Sequence, residues 1–151
     1  MTSDPTDPGS TSLTLVAEAT LSGNRAVLLD LRRHLAKAGH PAARGGAWEL
    51  VIAEALNNIV EHAYAGRDDG MIRVDLRWSD TQMQADLVDD GTPMPGGTPP
   101  GDTDTLDRIR TETLPEGGFG WGLIHTLVSH LDYRREGGCN HLSLTIPLDP
   151  A

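Results

Sequence analysis

Hydrophobic and polar residues alternate with two different periods along this chain, and the switches between them mark out the elements. From Trp48 to Tyr64 the period is helical. Trp48, Val51, Ile52, Ala55, Ile59 and Ala63 fall at i, i+3, i+4, i+7, i+11 and i+15, one stripe of an amphipathic helix. From Met71 to Trp78 the period is two. Ile72, Val74, Leu76 and Trp78 alternate with Arg73, Asp75 and Arg77, and after the turn Ser79-Asp80 the alternation resumes over Gln82–Val88. These runs predict an antiparallel hairpin with one buried and one wet face.

The flanking segments read less sharply. Met1 to Thr11 is Pro, Asp, Ser, Thr and Gly and predicts a disordered tail. Ser12–Ala19 alternates as a short strand, and its place at the start suggests a sheet edge. Asn24 is positioned to cap a helix to about Ala38, with Leu28, Leu31, Leu35 and Ala38 inward. Its other side carries Arg25, Arg32, Arg33 and Lys37, either solvated or a docking surface. Residues Pro93 to Gly118 are rich in Pro, Gly, Thr and Asp, with a short helical candidate at Thr103–Thr111, and predict a mobile lid at about 92–117. A second helix should start in the glycine-rich run Gly117–Leu123 and reach about His130, burying Leu123, Ile124, Leu127, Val128 and Leu131. Leu131–Arg135 and His141–Ile146 predict a closing hairpin around Gly137-Gly138-Cys139-Asn140.

Composition narrows the partners. The 151 residues suit a single domain, expected over 12–148. Twelve Lys and Arg against 22 Asp and Glu give a formal net charge of −10, a poor balance for nucleic acid or an anionic membrane. The single cysteine, Cys139, allows no intramolecular disulfide and suits a reducing cytoplasm. The first residues show no signal-peptide pattern, and no apolar run approaches a membrane span, so a cytoplasmic protein is expected.

Three groups of residues carry candidate chemistry. Glu54 and Asn58, four apart on the long helix, stack a carboxylate over a carboxamide, a base beside a hard oxygen ligand of the kind Mg²⁺ takes. Continuing the period of two, Asp89 points inward with Leu87, where a carboxylate needs a donor. That donor is either a loop amide or an exocyclic amine such as adenine's, and Gly91 just beyond lets backbone or ligand come close. Gly118, Gly120 and Gly122 feed a helix N-terminus, a ready anion site. The order of elements packs most simply as an α+β two-layer sandwich, a mixed, mostly antiparallel sheet with helices on one face. That packing gathers the three groups around one pocket and predicts ATP.

The segments E54-A-L-N-N58-I-V-E-H62-A-Y64, V88-D89-D90-G91 and G117-G-F-G120-W-G-L123 resemble, in this order, the N-box, G1 box and G2 box of the GHKL (Bergerat-type) ATPase superfamily. Within it the chain looks most like the anti-sigma serine kinases of the RsbW and SpoIIAB type. The resemblance implies Glu54 as general base, Asn58 as the Mg²⁺ ligand, Asp89 as reader of the adenine amine with Gly91 opening space beside it, and Gly118, Gly120, Gly122 and Leu123 at the phosphates. It also implies a homodimer that binds a sigma factor and phosphorylates a serine of a small STAS-domain antagonist (an anti-anti-sigma protein). Such kinases often carry an arginine one or two places before the paired glycines, where this chain has Leu114-Pro115-Glu116. Arg108 and Arg110 either replace it or are solvated. Three readings follow: a serine kinase that is also an anti-sigma factor, a nucleotide-binding partner switch without catalysis, and a stand-alone ATPase or histidine-kinase fragment. His62 and Trp121 read as structural residues, and Cys139 as an inert thiol in a turn.

Overall fold

A computed structural model describes residues 11–65, 67, 69–94 and 118–148. The predicted tail, the lid beyond Met94, the short helix at 103–111 and the arginines at 108 and 110 lie outside these residues.

The elements are β1 (Thr11–Glu18), α1 (Leu21–Lys37), α2 (Ala47–Asn58), β2 (Met71–Trp78), β3 (Gln82–Asp89), α3 (Gly118–Leu127), β4 (His130–Glu136) and β5 (Cys139–Pro147). The strands form one sheet in the order β1-β2-β3-β5-β4. Every pairing is antiparallel, so the parallel component allowed by a mixed sheet is not found among the described strands. The period of two sets which face is covered. Ile72, Val74, Leu76, Met83, Ala85, Leu87, Leu144 and Ile146 are fully buried, while their neighbours along each strand are half-buried or exposed. The helices supply the other half of the core through Leu31, Leu35, Trp48, Val51, Ile52, Ala55, Leu56 and Ile124. Among the described residues no helix is long and apolar enough to cross a membrane.

Several boundaries differ from the sequence reading. α1 starts three residues before Asn24. Thr20 is its cap, and the hydroxyl accepts from Gly23 N at 2.9 Å. Asn24 instead turns into the α1–α2 interface, where its Nδ2 donates to Asn57 Oδ1 at 2.9 Å. Ala38 is exposed at the helix end, and Val27 takes the inward position. On the basic side, Arg32 is paired with Glu49 of α2 and Arg33 lies 3.9 Å from Asp30. The closing hairpin turns on Gly137-Gly138 alone, both at positive φ (61° and 77°), the geometry of a two-residue turn that matches strand twist. Cys139 and Asn140 therefore belong to β5 and not to the turn.

The long helix keeps its α form only to Asn58. Residues Ile59–Ala63 widen into a π turn, closed by Tyr64 N donating to Ile59 O at 3.1 Å. The widening leaves Ala63 O to accept from Thr92 N at 2.7 Å, which joins the helix end to the segment after β3. Tyr64 is buried against Gly70, whose missing side chain would lie 2.4–2.6 Å from the ring. Its hydroxyl lies 2.7 Å from Met71 O and 2.8 Å from Asp90 Oδ1, and accepts from Asp90 N at 3.2 Å. Burial, reinforced by Asp90, pushes the phenol up to about 12, so it stays a donor throughout the neutral range. Tyr64→Phe is expected to cost about 1–2 kcal/mol in urea unfolding, because Met71 O and Asp90 lose a buried donor.

Candidate functional site

The end of α2, the end of β3, β5 and the start of α3 enclose a cavity of about 400 Å³. Asn58, Ile59, Asp89, Trp121, Asn140 and Leu142 are among its walls. Two groups of polar residues stand at or beside it.

Glu54 and Asn58 meet α3, and of the two Asn58 borders the cavity. A side chain on Gly120 would sit 2.6 Å from Glu54 Oε2 and 3.5 Å from Asn58 Nδ2, so both polar groups converge on this glycine. The sequence placed them on one helix face; the fold adds that α3 begins directly against them. Asn58 is 6% exposed and its Nδ2 is buried without a partner among the described residues. An orphaned amide group beside a carboxylate is the kind of site a hydrated cation and phosphate would complete. The O and N of a carboxamide exchange by a half-turn, so Asn58 can present oxygen to a cation from the same rotamer family. The residues present fit Mg²⁺. Gly122 is buried in α3 and Leu123 half-buried; neither borders the cavity, while Gly118 opens the helix.

Asp89, also a wall of the cavity, is buried, 5% exposed. Both alternatives for its donor are in play. The loop amide is present: Gly91 N donates to Asp89 Oδ1 at 2.9 Å. A side chain missed from the sequence adds a second donor to the same oxygen, Asn140 Nδ2 at 2.8 Å. Nothing among the described residues bonds Oδ2, and the residue borders the cavity. Burial raises the carboxyl above its ordinary value, opposed by the Asn140 and Gly91 hydrogen bonds and by Arg135. Gly91 serves backbone instead of ligand here. A Cβ on it would lie 2.4 Å from Ala63 O and 2.7 Å from Ala63 C.

Around Asp89 runs a network that sequence reasoning did not assemble. Tyr133 Oη donates to Asn140 Oδ1 and accepts from Met94 N at 3.0 Å. Arg135 Nη1 donates to Asn140 Oδ1 at 3.1 Å and to Gly91 O at 2.6 Å. The parity that turned Asp89 inward also turns Asn140 inward, since it shares a face with Leu142 and Leu144 and is the register partner of Asp89. Placing the turn two residues too long concealed it.

A buried carboxylate and a buried carboxamide border one cavity, and a glycine-led helix packs against the carboxamide and Glu54 beside it. The comparison with known families agrees: residues 17–146 match the model of the histidine kinase-like ATPase domain.

The chain belongs to that family.

It is also similar to the serine/threonine-protein kinase BtrW of Bordetella bronchiseptica, 35% identical over 99 residues, which cover 64% of this chain and 66% of that protein. It thus spans just under two thirds of that relative's length. Among solved structures, the RsbU and RsbW domains of Rv1364c from Mycobacterium tuberculosis superpose with a TM-score of 0.60 at 22% identity, over 93% of this chain and 34% of that one. That likeness supports the α+β fold. Membership of an ATPase-domain family implies ATP binding.

Asp89→Asn separates stability from recognition. The variant keeps an acceptor for Gly91 and Asn140 but removes a buried charge. Because the native carboxyl is raised, the charge penalty is absent below the unfolded value, near 3.8, and grows as pH rises through the raised native value. Asp89→Asn should therefore melt at or above the wild-type temperature at pH 7, and the difference should shrink as the pH falls into the acid range. On the reading in which Asp89 takes the adenine amine, ATP affinity should fall on the order of a hundredfold, since that donor would then face an amide N–H. Thermal melts across pH and calorimetric titration with ATP check the two halves.

Proposed function

We propose that this protein binds ATP with Mg²⁺ and phosphorylates a serine on a STAS-domain anti-anti-sigma protein, in a partner switch where it otherwise holds a sigma factor inactive. The observation that supports the reading is the convergence of Glu54 and Asn58 on Gly120, with Asn58 a wall of the same cavity that Asp89 borders. The likeness to a serine/threonine-protein kinase supports it.

In this reading Asp89 Oδ2 accepts the adenine amine and fixes the base. Asn58 holds Mg²⁺, which when bound neutralises phosphate charge. The first-turn amides of α3, beginning at Gly118, face the phosphates, and Gly120 keeps the space beside Glu54 clear. Glu54 accepts the proton that the serine hydroxyl loses as its oxygen bonds phosphorus and ADP departs. Phosphoryl transfer asks a protein chiefly for this positioning and charge stabilisation. We place the protein in the cytoplasm as a homodimer.

The second reading, a nucleotide-binding switch without phosphotransfer, draws on Leu114-Pro115-Glu116, where related kinases often carry an arginine. Capture of partners from native lysate with Mg-ATP, followed by mass spectrometry, decides between them. A small STAS protein carrying phosphoserine is the expected result. The same partner recovered unmodified would sink the kinase reading and leave the switch.

A further inference from the structure

The network around Asp89 has no part in the proposed phosphoryl chemistry, yet it uses every hydrogen-bonding position of one buried side chain. Asn140 is 4% exposed. Its Oδ1 accepts from Tyr133 Oη and Arg135 Nη1, and its Nδ2 donates to Asp89 Oδ1 and, at 3.0 Å, to Thr92 O. A half-turn of this amide would set N–H against two donors and oxygen against two acceptors. Its orientation is therefore fixed, with N–H held towards Asp89.

A carboxylate oxygen has about two lone-pair sites. On Asp89 Oδ1 both are taken, one by Gly91 N and one by Asn140 Nδ2. One oxygen of the pair, Oδ2, is left for the cavity. The two purine bases differ in what they ask of such a group. Adenine offers one exocyclic amine next to a ring nitrogen that accepts. Guanine offers a ring N–H and an amine side by side, a pair that matches both oxygens of a free carboxylate. A carboxylate with one saturated oxygen meets the single donor of adenine and leaves one donor of guanine unpaired, which a buried site rejects strongly.

We propose that Asn140, oriented by Tyr133 and Arg135, is a positioning residue that makes this pocket select adenine over guanine by saturating Asp89 Oδ1. This rests on the nucleotide reading of the cavity and adds the source of its base selectivity. Tyr133 and Arg135 come from β4, two residues apart on one face, with Arg135 the register partner of Asn140. The second bond of Arg135, to Gly91 O, and that of Tyr133, from Met94 N, tie the same device to the segment leaving β3.

The test is equilibrium binding of ATP and of GTP, each with Mg²⁺, to the full chain, read as the ratio of the two affinities. The wild type should prefer ATP. In Asn140→Ala one lone pair of Oδ1 is freed, and the ratio should narrow about tenfold, mainly by a gain for GTP. In Tyr133→Phe the amide is loosened and the ratio should narrow in the same direction by a smaller factor. This conservative variant carries the test alone if Asn140→Ala does not melt cooperatively. Loss of both nucleotides by the same factor would show Asn140 to be mere structural support and overturn the proposal, while leaving ATP binding intact as a reading. A wild type that binds GTP as tightly as ATP would overturn it too. Binding of neither nucleotide would remove the ATP reading itself, and the selectivity with it.

Discussion

On the proposed kinase reading, Glu54→Gln is expected to lower serine phosphorylation by about a thousandfold and to leave ATP affinity within about twofold. This is the outcome expected if Glu54 takes a proton in the transition state and nothing more, since a positioned general base contributes roughly 10²–10⁴ in rate. The geometry makes the variant clean. Glutamine has the same shape, so the contact with Gly120 and the packing of α2 on α3 persist. A carboxamide cannot accept the hydroxyl proton. Single-turnover transfer from ATP to the captured STAS protein measures the rate, and calorimetry measures the affinity. A proportional fall in both would place Glu54 in ground-state binding instead, and an unchanged rate would remove it from the chemistry.

Gly91→Ala should be strongly destabilising for a single-methyl change. The new Cβ would meet the carbonyl of Ala63, backbone that has no rotamer to give way. Relief requires the Asp89–Thr92 segment to lift from the π turn, which breaks the Thr92 N to Ala63 O bond and draws Gly91 O from Arg135. Overpacking of this kind costs about 3 kcal/mol. In a domain of this size that is roughly 10 °C in melting temperature. Gly137→Ala is the control. Nothing lies within 4 Å of its Cβ, so only the positive φ of 61° is strained, at about 1 kcal/mol. Equal melting shifts for the two variants would mean that the close approach at Gly91 relaxes freely.

These cases show what was legible in the sequence. Period-two alternation gave β2 and β3 nearly to the residue, because each strand packs one face on helices and shows the other to water. The same parity put Asp89 inside. The stripe from Trp48 gave α2, and Glu54 with Asn58 followed from helical spacing alone. What could not be read is tertiary. Thr20 and Asn24 are both competent caps, and only the presence of Asn57 across the interface draws Asn24 inward. The π turn shows in no periodicity, because Ile59 and Ala63 are buried in either form. Gly91 announces a close approach without saying to what. Asn140, Tyr133 and Arg135 were within reach of the parity rule once Gly137-Gly138 is taken as a complete two-residue turn.

The strand order has a consequence for how the base pocket comes into being. β2 with β3, and β4 with β5, are hairpins closed by short turns, and such units assemble in microseconds. The seam between β3 and β5 joins residues no closer in sequence than Asp89 and Asn140, separated by 51 positions, and must meet the entropy of closing that loop. Asp89 lies on one side of the seam and the residues that hold it on the other. Neither hairpin alone contains a base pocket. The Asp89 network therefore arrives only with a long-range closure of the sheet, and a ligand held by both sides of the seam would in turn fasten the two hairpins to each other.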